Sequence, residues 1–179
     1  MKFFIKTSIA IFACSPIFSA YAIDCYTPKR GFAASICTDV ENCSTQSGIY
    51  RIVLRNEDAP IGERRLVMSG NFNGAIVGFD PTACGGYGGT ILTHTLNDNG
   101  GADTITTSGD LGCATGGDCI STLEITETLN LDTGTGIYEG LQAGGQVILT
   151  GTLGLETGIN SFRVEGDVGS VCFDWNLIN

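Results

Sequence analysis

The chain has 179 residues, with 9 lysines and arginines against 19 aspartates and glutamates and a formal net charge of −10. So acidic a surface repels nucleic-acid phosphates and anionic lipid, which excludes both as expected partners. The length fits one domain.

The first 22 residues read as a secretory signal peptide. Lys2 and Lys6 give a positive start, an apolar run covers residues 8–13, and Ala20-Tyr21-Ala22 is a small-x-small cleavage site. A lipobox at Ile11-Phe12-Ala13-Cys14 is the rival reading, but Phe12 fits it poorly and the apolar run before Cys14 is short. No later apolar run is long enough to span a bilayer as a helix, so no transmembrane segment is expected. The expected location is secreted or periplasmic.

Seven of the eight cysteines follow the signal, and export makes disulfides the default. Cys37 with Cys43 and Cys113 with Cys119 form two C-x5-C pairs in turn-rich segments. Cys25 and Cys172 lie near the two ends of the mature chain, where a bond would fasten the first segment to the last strand. Cys84 is then left over, free or intermolecular. Zinc is disfavoured at these cysteines, because the chain lacks C-x2-C knuckles and has one histidine.

Residues 23–47 read as a cysteine-rich N-terminal segment of irregular periodicity, compatible with a short helix near residues 32–40. Residues 48–179 read as strands. Runs at 49–56 and 63–69 flank the hairpin loop Glu57-Asp58-Ala59-Pro60, and a third run, 72–79, ends at Asp80-Pro81. Residues 85–89, GGYGG, read as a flexible loop without the lysine and following helix of a phosphate-binding loop. Strands at 90–96 and 103–107 surround an Asn-Asp-Gly turn, 108–118 reads as a loop, and 120–131 is the longest strand. From 130 to 168 three extended runs are divided by glycine. Gln146, Ile148 and Thr150 alternate there with Val147, Leu149 and Gly151, and Phe162 and Val164 alternate with Ser161 and Arg163, which gives each run one apolar and one polar face. Gly144-Gly145 and Thr157-Gly158 supply the breaks. No capped helical pattern exceeds about ten residues, and short strands at near-regular spacing point to a barrel or sandwich.

The segment Thr133-Gly134-Thr135-Gly136-Ile137-Tyr138-Glu139-Gly140 resembles the G-x-G-x-[YF]-x-G turn of the allene oxide cyclase-like and dirigent-like barrels. The resemblance covers residues 120–168. It implies an eight-stranded antiparallel barrel in which residues 145–151 are the strand returning after the turn. It also implies action on, or orientation of, a small hydrophobic molecule without metal or organic cofactor. No residue here matches the family's cavity residues one for one, and fold alone does not carry function.

Three candidate sites arise from the residues themselves. His94, the one histidine, shares a strand face with Thr90, Leu92 and Leu96, and Glu127 shares the apolar face of the longest strand with Leu123, Ile125, Leu129 and Leu131. A carboxyl in apolar surroundings has a raised pKa, so the two would make an acid–base pair if the fold brought them within reach. Cys84 is a candidate thiol. Asn97, Asp98, Asn99 and Asp103 form one oxygen-rich loop resembling a single clipped calcium repeat, which would need help from Asp110 or Asp118 to reach six ligands. A serine triad is not expected, because there is no G-x-S-x-G.

The expected protein is therefore all-β: a single antiparallel β-barrel of about eight strands, calycin-like and disulfide-stabilised. Its expected role is non-enzymatic binding of a small apolar ligand or a surface partner, with no cofactor. The alternatives are a cofactor-free cyclase or isomerase, and a structural or adhesive surface protein.

Overall fold

The computed structural model describes residues 23–177 except 40, 63, 99 and 100. The expected signal peptide lies outside the described residues.

Ten strands run in chain order: β1 Ile23–Cys37, β2 Thr45–Arg55, β3 Arg65–Asp80, β4 Gly89–Asp98, β5 Thr104–Thr107, β6 Asp110–Gly117, β7 Thr122–Gly134, β8 Gly145–Gly154, β9 Ile159–Val164 and β10 Val171–Asp174. One short helical turn, α1 Ala83–Gly86, precedes β4. β1 to β4 form an antiparallel meander. β4 then meets two short strands in succession, β6 along residues 90–92 and β5 along 95–97. Both pair on their far side with β7, which continues into β8 and β9. The ring closes on β1, which pairs with β9 along residues 32–36 and with β10 along 23–26. β5 and β6 thus share one position in the ring and β9 and β10 share another. The ten strands fill eight positions of a closed antiparallel barrel, which removes the free edges of an open sheet.

Alternation drives the closure. In β9, Asn160, Phe162 and Val164 are buried while Ile159, Ser161 and Arg163 face out. In β7, Glu127, Leu129 and Leu131 point inward. The lumen is packed with side chains, among them Leu54, Met68, Ile105, Leu131, Val147 and Phe173, all fully buried. Burial of each such side chain contributes about 1.5–3 kcal/mol. Among the described residues no helix is long and apolar enough to cross a membrane.

The structure corrects several sequence expectations. Residues 23–47 are not a separate segment, and no helix forms near 32–37. They supply β1, the seam of the barrel, and the start of β2. A bulge between Pro28 and Arg30 switches the inward side from Tyr26 and Pro28 to Ala33 and Ser35, which hides the period of two. The runs at 63–69 and 72–79 belong to one strand, β3. Gly70, which looks like a turn glycine, sits opposite Asp98, where a Cβ would lie 1.8 Å from the Asn97 carbonyl oxygen. It is there for close strand approach. Most of the expected loop at 108–118 is β6.

Three disulfides are present: Cys25–Cys172, Cys37–Cys43 and Cys84–Cys113. The first joins directly opposed residues of β1 and β10. The expected Cys113–Cys119 bond does not form, Cys84 is not left over, and Cys119 is the free, exposed thiol. Cys113 and Cys119 lie in an extended strand and in the turn beyond its end. Four residues of strand carry the chain roughly 13 Å away from Cys113, beyond the reach of a disulfide. The α1 turn instead brings Cys84 against β6, with Cα atoms of the pair 5.6 Å apart.

Candidate functional site

A polar cluster interrupts the apolar lumen, built from His94 on β4, Asp110 at the start of β6 and Glu127 on β7. Their exposures are 4, 0 and 4 %. His94 points inward next to Leu96 and lies opposite Gly74 of β3. A Cβ on Gly74 would fall 2.6 Å from His94 Nε2 and 2.5 Å from its Cδ2, so the glycine makes room for the ring. Phe72 packs edge-on to the ring at 5.7 Å between centroids.

Asp110 owes its position to the break between β5 and β6. The ladder to β7 stops at Thr107 opposite Leu131 and resumes at Leu111 opposite Thr128. Asp110 fills the gap with its side chain: Oδ1 accepts the Asn130 backbone N–H at 2.6 Å. Oδ2 accepts the Thr107 hydroxyl and lies 2.7 Å from His94 Nδ1. Thr107 in turn accepts the His94 backbone N–H at 2.7 Å. Both oxygens of Asp110 are thus engaged, and the imidazole is held at Nδ1 and through its backbone.

The other ring nitrogen faces the lumen. His94 Nε2 lies 3.1 Å from Gln46 Nε2 and 3.6 Å from Glu127 Oε1. Gln46 Oε1 accepts the Ser35 hydroxyl at 2.7 Å and an Asn160 amide N–H at 3.4 Å, an arrangement that turns the Gln46 NH2 toward the ring. The imidazole then presents a lone pair at Nε2 and its proton at Nδ1, toward Asp110. Glu127 Oε1 is buried and has no hydrogen-bond partner.

Electrostatics follow from this burial. Desolvation disfavours the His94 imidazolium, but the Asp110 hydrogen bond and the charges of Glu127 and Asp110 outweigh it, so His94 is shifted upward. Burial lifts Glu127 above the usual carboxylate range; the His94 charge opposes this and the Asp110 charge adds to it.

Two cavities meet at Glu127. The inner one, about 20 Å³, is lined by Phe72, Leu96, Leu129, Leu149 and Phe162 besides His94 and Glu127, and has room for about one water. The second, about 80 Å³, lies toward the barrel end that carries Cys43 and Ser44. Gln46, Ile125, Glu127, Leu153, Asn160 and Phe162 line it, and it reaches the surface beside Ile76, which is 44 % exposed.

Of the sequence candidates, His94 and Glu127 are brought together. Cys84 is not a free thiol, because it is bonded to Cys113. In the oxygen-rich loop, Asp98 Oδ1 accepts the Gly101 N–H at 2.9 Å, Asp103 Oδ1 accepts the Ile137 N–H at 3.1 Å, and the Asn97 side chain donates to the Thr95 carbonyl. Asn99 lies outside the described residues. Asp118 caps the β6–β7 turn by accepting the N–H groups of Ile120, Ser121 and Thr122. Asp110 is in the lumen and not with the loop. Among the described residues, His94, Asp110 and Glu127 are the group whose ligand atoms lie within 4.8 Å of one another.

Sequence reasoning missed Asp110 as the partner of His94, along with Gln46, Thr107 and Asn160. The one available signal was Ser108-Gly109-Asp110, a break inside an extended stretch with Gly109 at positive φ. No protein-family model, curated protein or solved structure matches the chain.

Proposed function

We propose that the protein is an exported barrel that binds one small, largely apolar molecule in the cavity near Cys43 and Ser44, with Glu127 as the polar anchor. The observation that carries this reading is the Glu127 carboxyl oxygen, buried without a hydrogen-bond partner at the edge of an apolar cavity. A buried polar atom left unpaired costs about 1–3 kcal/mol, and a ligand bearing one matching donor or acceptor recovers it. The packed lumen confines such a ligand to the barrel end, so a compact molecule or one end of a longer one fits. Export is supported by the signal-like first 22 residues and by three disulfides.

A second reading, a cofactor-free isomerase or cyclase, draws on a different observation. The His94–Asp110 pair stands directly behind Glu127, as a proton relay for a carboxyl acid–base would. The resemblance of residues 133–140 to the allene oxide cyclase-like turn agrees with it. That segment spans the end of β7 and the short turn that leads toward β8.

Native mass spectrometry of the exported, non-reduced protein tests the binding reading. A small excess mass that leaves on denaturation, and that Glu127→Ala loses, is the expected result. A bare-chain mass for wild type, with no retention of any member of a panel of small apolar acids, alcohols and ketones, would overturn it. Solvent deuterium entering the carbon next to a retained ketone would favour the isomerase.

A further inference from the structure

We infer that His94 Nε2 and Glu127 Oε1 form a binding site for one divalent transition-metal ion of the zinc class. The inference shares the cavity of the proposed function but does not need the organic ligand.

Four observations carry it. First, Asp110 holds His94 by Nδ1 and leaves Nε2 facing the lumen, 3.1 Å from the Gln46 amide and 3.6 Å from Glu127 Oε1, the carboxylate–histidine arrangement that orients metal-bound imidazoles. Second, Glu127 Oε1 lies 3.6 Å from that Nε2, belongs to a residue only 4 % exposed, and has no hydrogen-bond partner. Third, the spacing suits an ion: bonds of about 2.0–2.1 Å from Nε2 and Oε1 across 3.6 Å meet at an angle of about 120°, within tetrahedral or trigonal geometry. Fourth, the charges balance. Two carboxylates lie in this part of the lumen, and among the described residues neither cavity is lined by lysine or arginine. A divalent cation with a neutral imidazole neutralises both.

Gln46 supplies the third protein ligand. Turning its amide over places Oε1 near Nε2 and directs its NH2 at the Ser35 hydroxyl, with Asn160 turning in step. The fourth position then faces the 80 Å³ cavity, where water or an oxygen of the bound molecule would sit. One imidazole nitrogen with few oxygens suits zinc, cobalt or nickel. Calcium and magnesium require six or more oxygens, which this pocket does not have.

The chain has a single histidine, so every imidazole NMR signal of an untagged protein belongs to His94. The experiment uses the mature, disulfide-intact protein carrying Cys119→Ser, which removes the one exposed thiol, after treatment with a chelator and dialysis. One equivalent of Zn²⁺ should shift the Nε2 resonance and leave Nδ1 protonated, and Co²⁺ should move the ring protons by paramagnetic shift with saturation at one equivalent. Glu127→Gln should weaken binding at least 10-fold and Asp110→Asn about 10–100-fold. His94 signals unmoved by excess Zn²⁺ in wild-type sequence at these residues would overturn the inference, as would affinity unchanged in Glu127→Gln. Because no organic ligand is present, a negative result here leaves the binding proposal standing, and a missing ligand mass leaves the metal site standing.

Discussion

Asp110 and Glu127 are both buried carboxyl groups, yet their surroundings give opposite responses to removal. Asp110 accepts three hydrogen bonds and closes a gap in the ladder to β7. Asp110→Ala strands the Thr107 hydroxyl, the Asn130 N–H and the His94 Nδ1–H together, and should cost about 3–5 kcal/mol in urea denaturation. Glu127 Oε1 accepts nothing. Glu127→Leu removes from an apolar wall a polar atom that accepts no hydrogen bond, and at a pH where His94 is neutral should leave stability unchanged or raise it by about 1 kcal/mol while abolishing ligand retention. A loss of several kcal/mol in Glu127→Leu would mean that the residue holds the barrel together and is not kept for binding. Tyrosines give a separate pH signature. Burial, with the charges of Asp98 and Asp103 adding, pushes Tyr138 up to about 12, and burial also lifts Tyr50, whose hydroxyl lacks a partner. These phenols ionise more easily in the unfolded chain. Their contribution is complete below about pH 10 and is lost as pH rises toward 12 and beyond. Phenolate absorbance should therefore show a late component that rises together with unfolding; a smooth titration complete by pH 11 in folded protein would contradict the burial.

At the level of strands, the β4–β6–β7 region is where most of the chemistry and most of the surprises lie. Cys84–Cys113 ties the α1 turn to β6 and closes a loop with a sequence separation of 29. Its removal by Cys113→Ser should cost about 3–4 kcal/mol on loop-closure grounds. Cys119→Ser, at an exposed turn, should stay within about 0.5 kcal/mol. Equal losses in the two variants, or a non-reduced digest linking residues 113 and 119, would rule out this pairing. The contrast between legible and illegible elements has a physical basis. β8 and β9 are legible because each strand keeps an unbroken period of two between glycine turns. β1 is not, because a bulge between Pro28 and Arg30 reverses its inward side, and β3 reads as two runs because Gly70, inside an otherwise unbroken period of two from Met68 to Gly74, carries a turn residue into mid-strand. β6 is hidden by its glycines, which lack the side chains that periodicity reads. For the site, the inward faces of His94 and Glu127 are legible from their strand neighbours. Their separation is not, since it depends on β6 and β5 occupying one position between β4 and β7.

For the molecule as a whole, the decisive contacts are those most distant in sequence. β1 is held by β9 and β10, the last two strands, and Cys25–Cys172 fixes that seam across a separation of 147. The three crosslinks should therefore rank by loop length, about 5 kcal/mol for Cys25–Cys172 against about 2 kcal/mol for Cys37–Cys43, with Cys84–Cys113 between them. Double-serine replacement of each pair, followed by guanidinium unfolding without reductant, measures the order. An inverted ranking would show that the seam is held by its strand pairing and not by its crosslink. So many contacts of high sequence separation also predict folding in milliseconds to seconds, not microseconds.

The seam has one more consequence. Ile23 and Asp174 are paired neighbours, so the described chain leaves the barrel within one strand spacing of where it enters. A ring of this kind has no preferred starting point. A short linker from 177 to 23, which keeps Trp175 stacked on Phe173, with new ends cut in the exposed 57–62 connection, would yield a circular permutant carrying the same lumen. In such a molecule His94, Asp110 and Glu127 keep their neighbours, while β1 and β2 become the last strands of the chain.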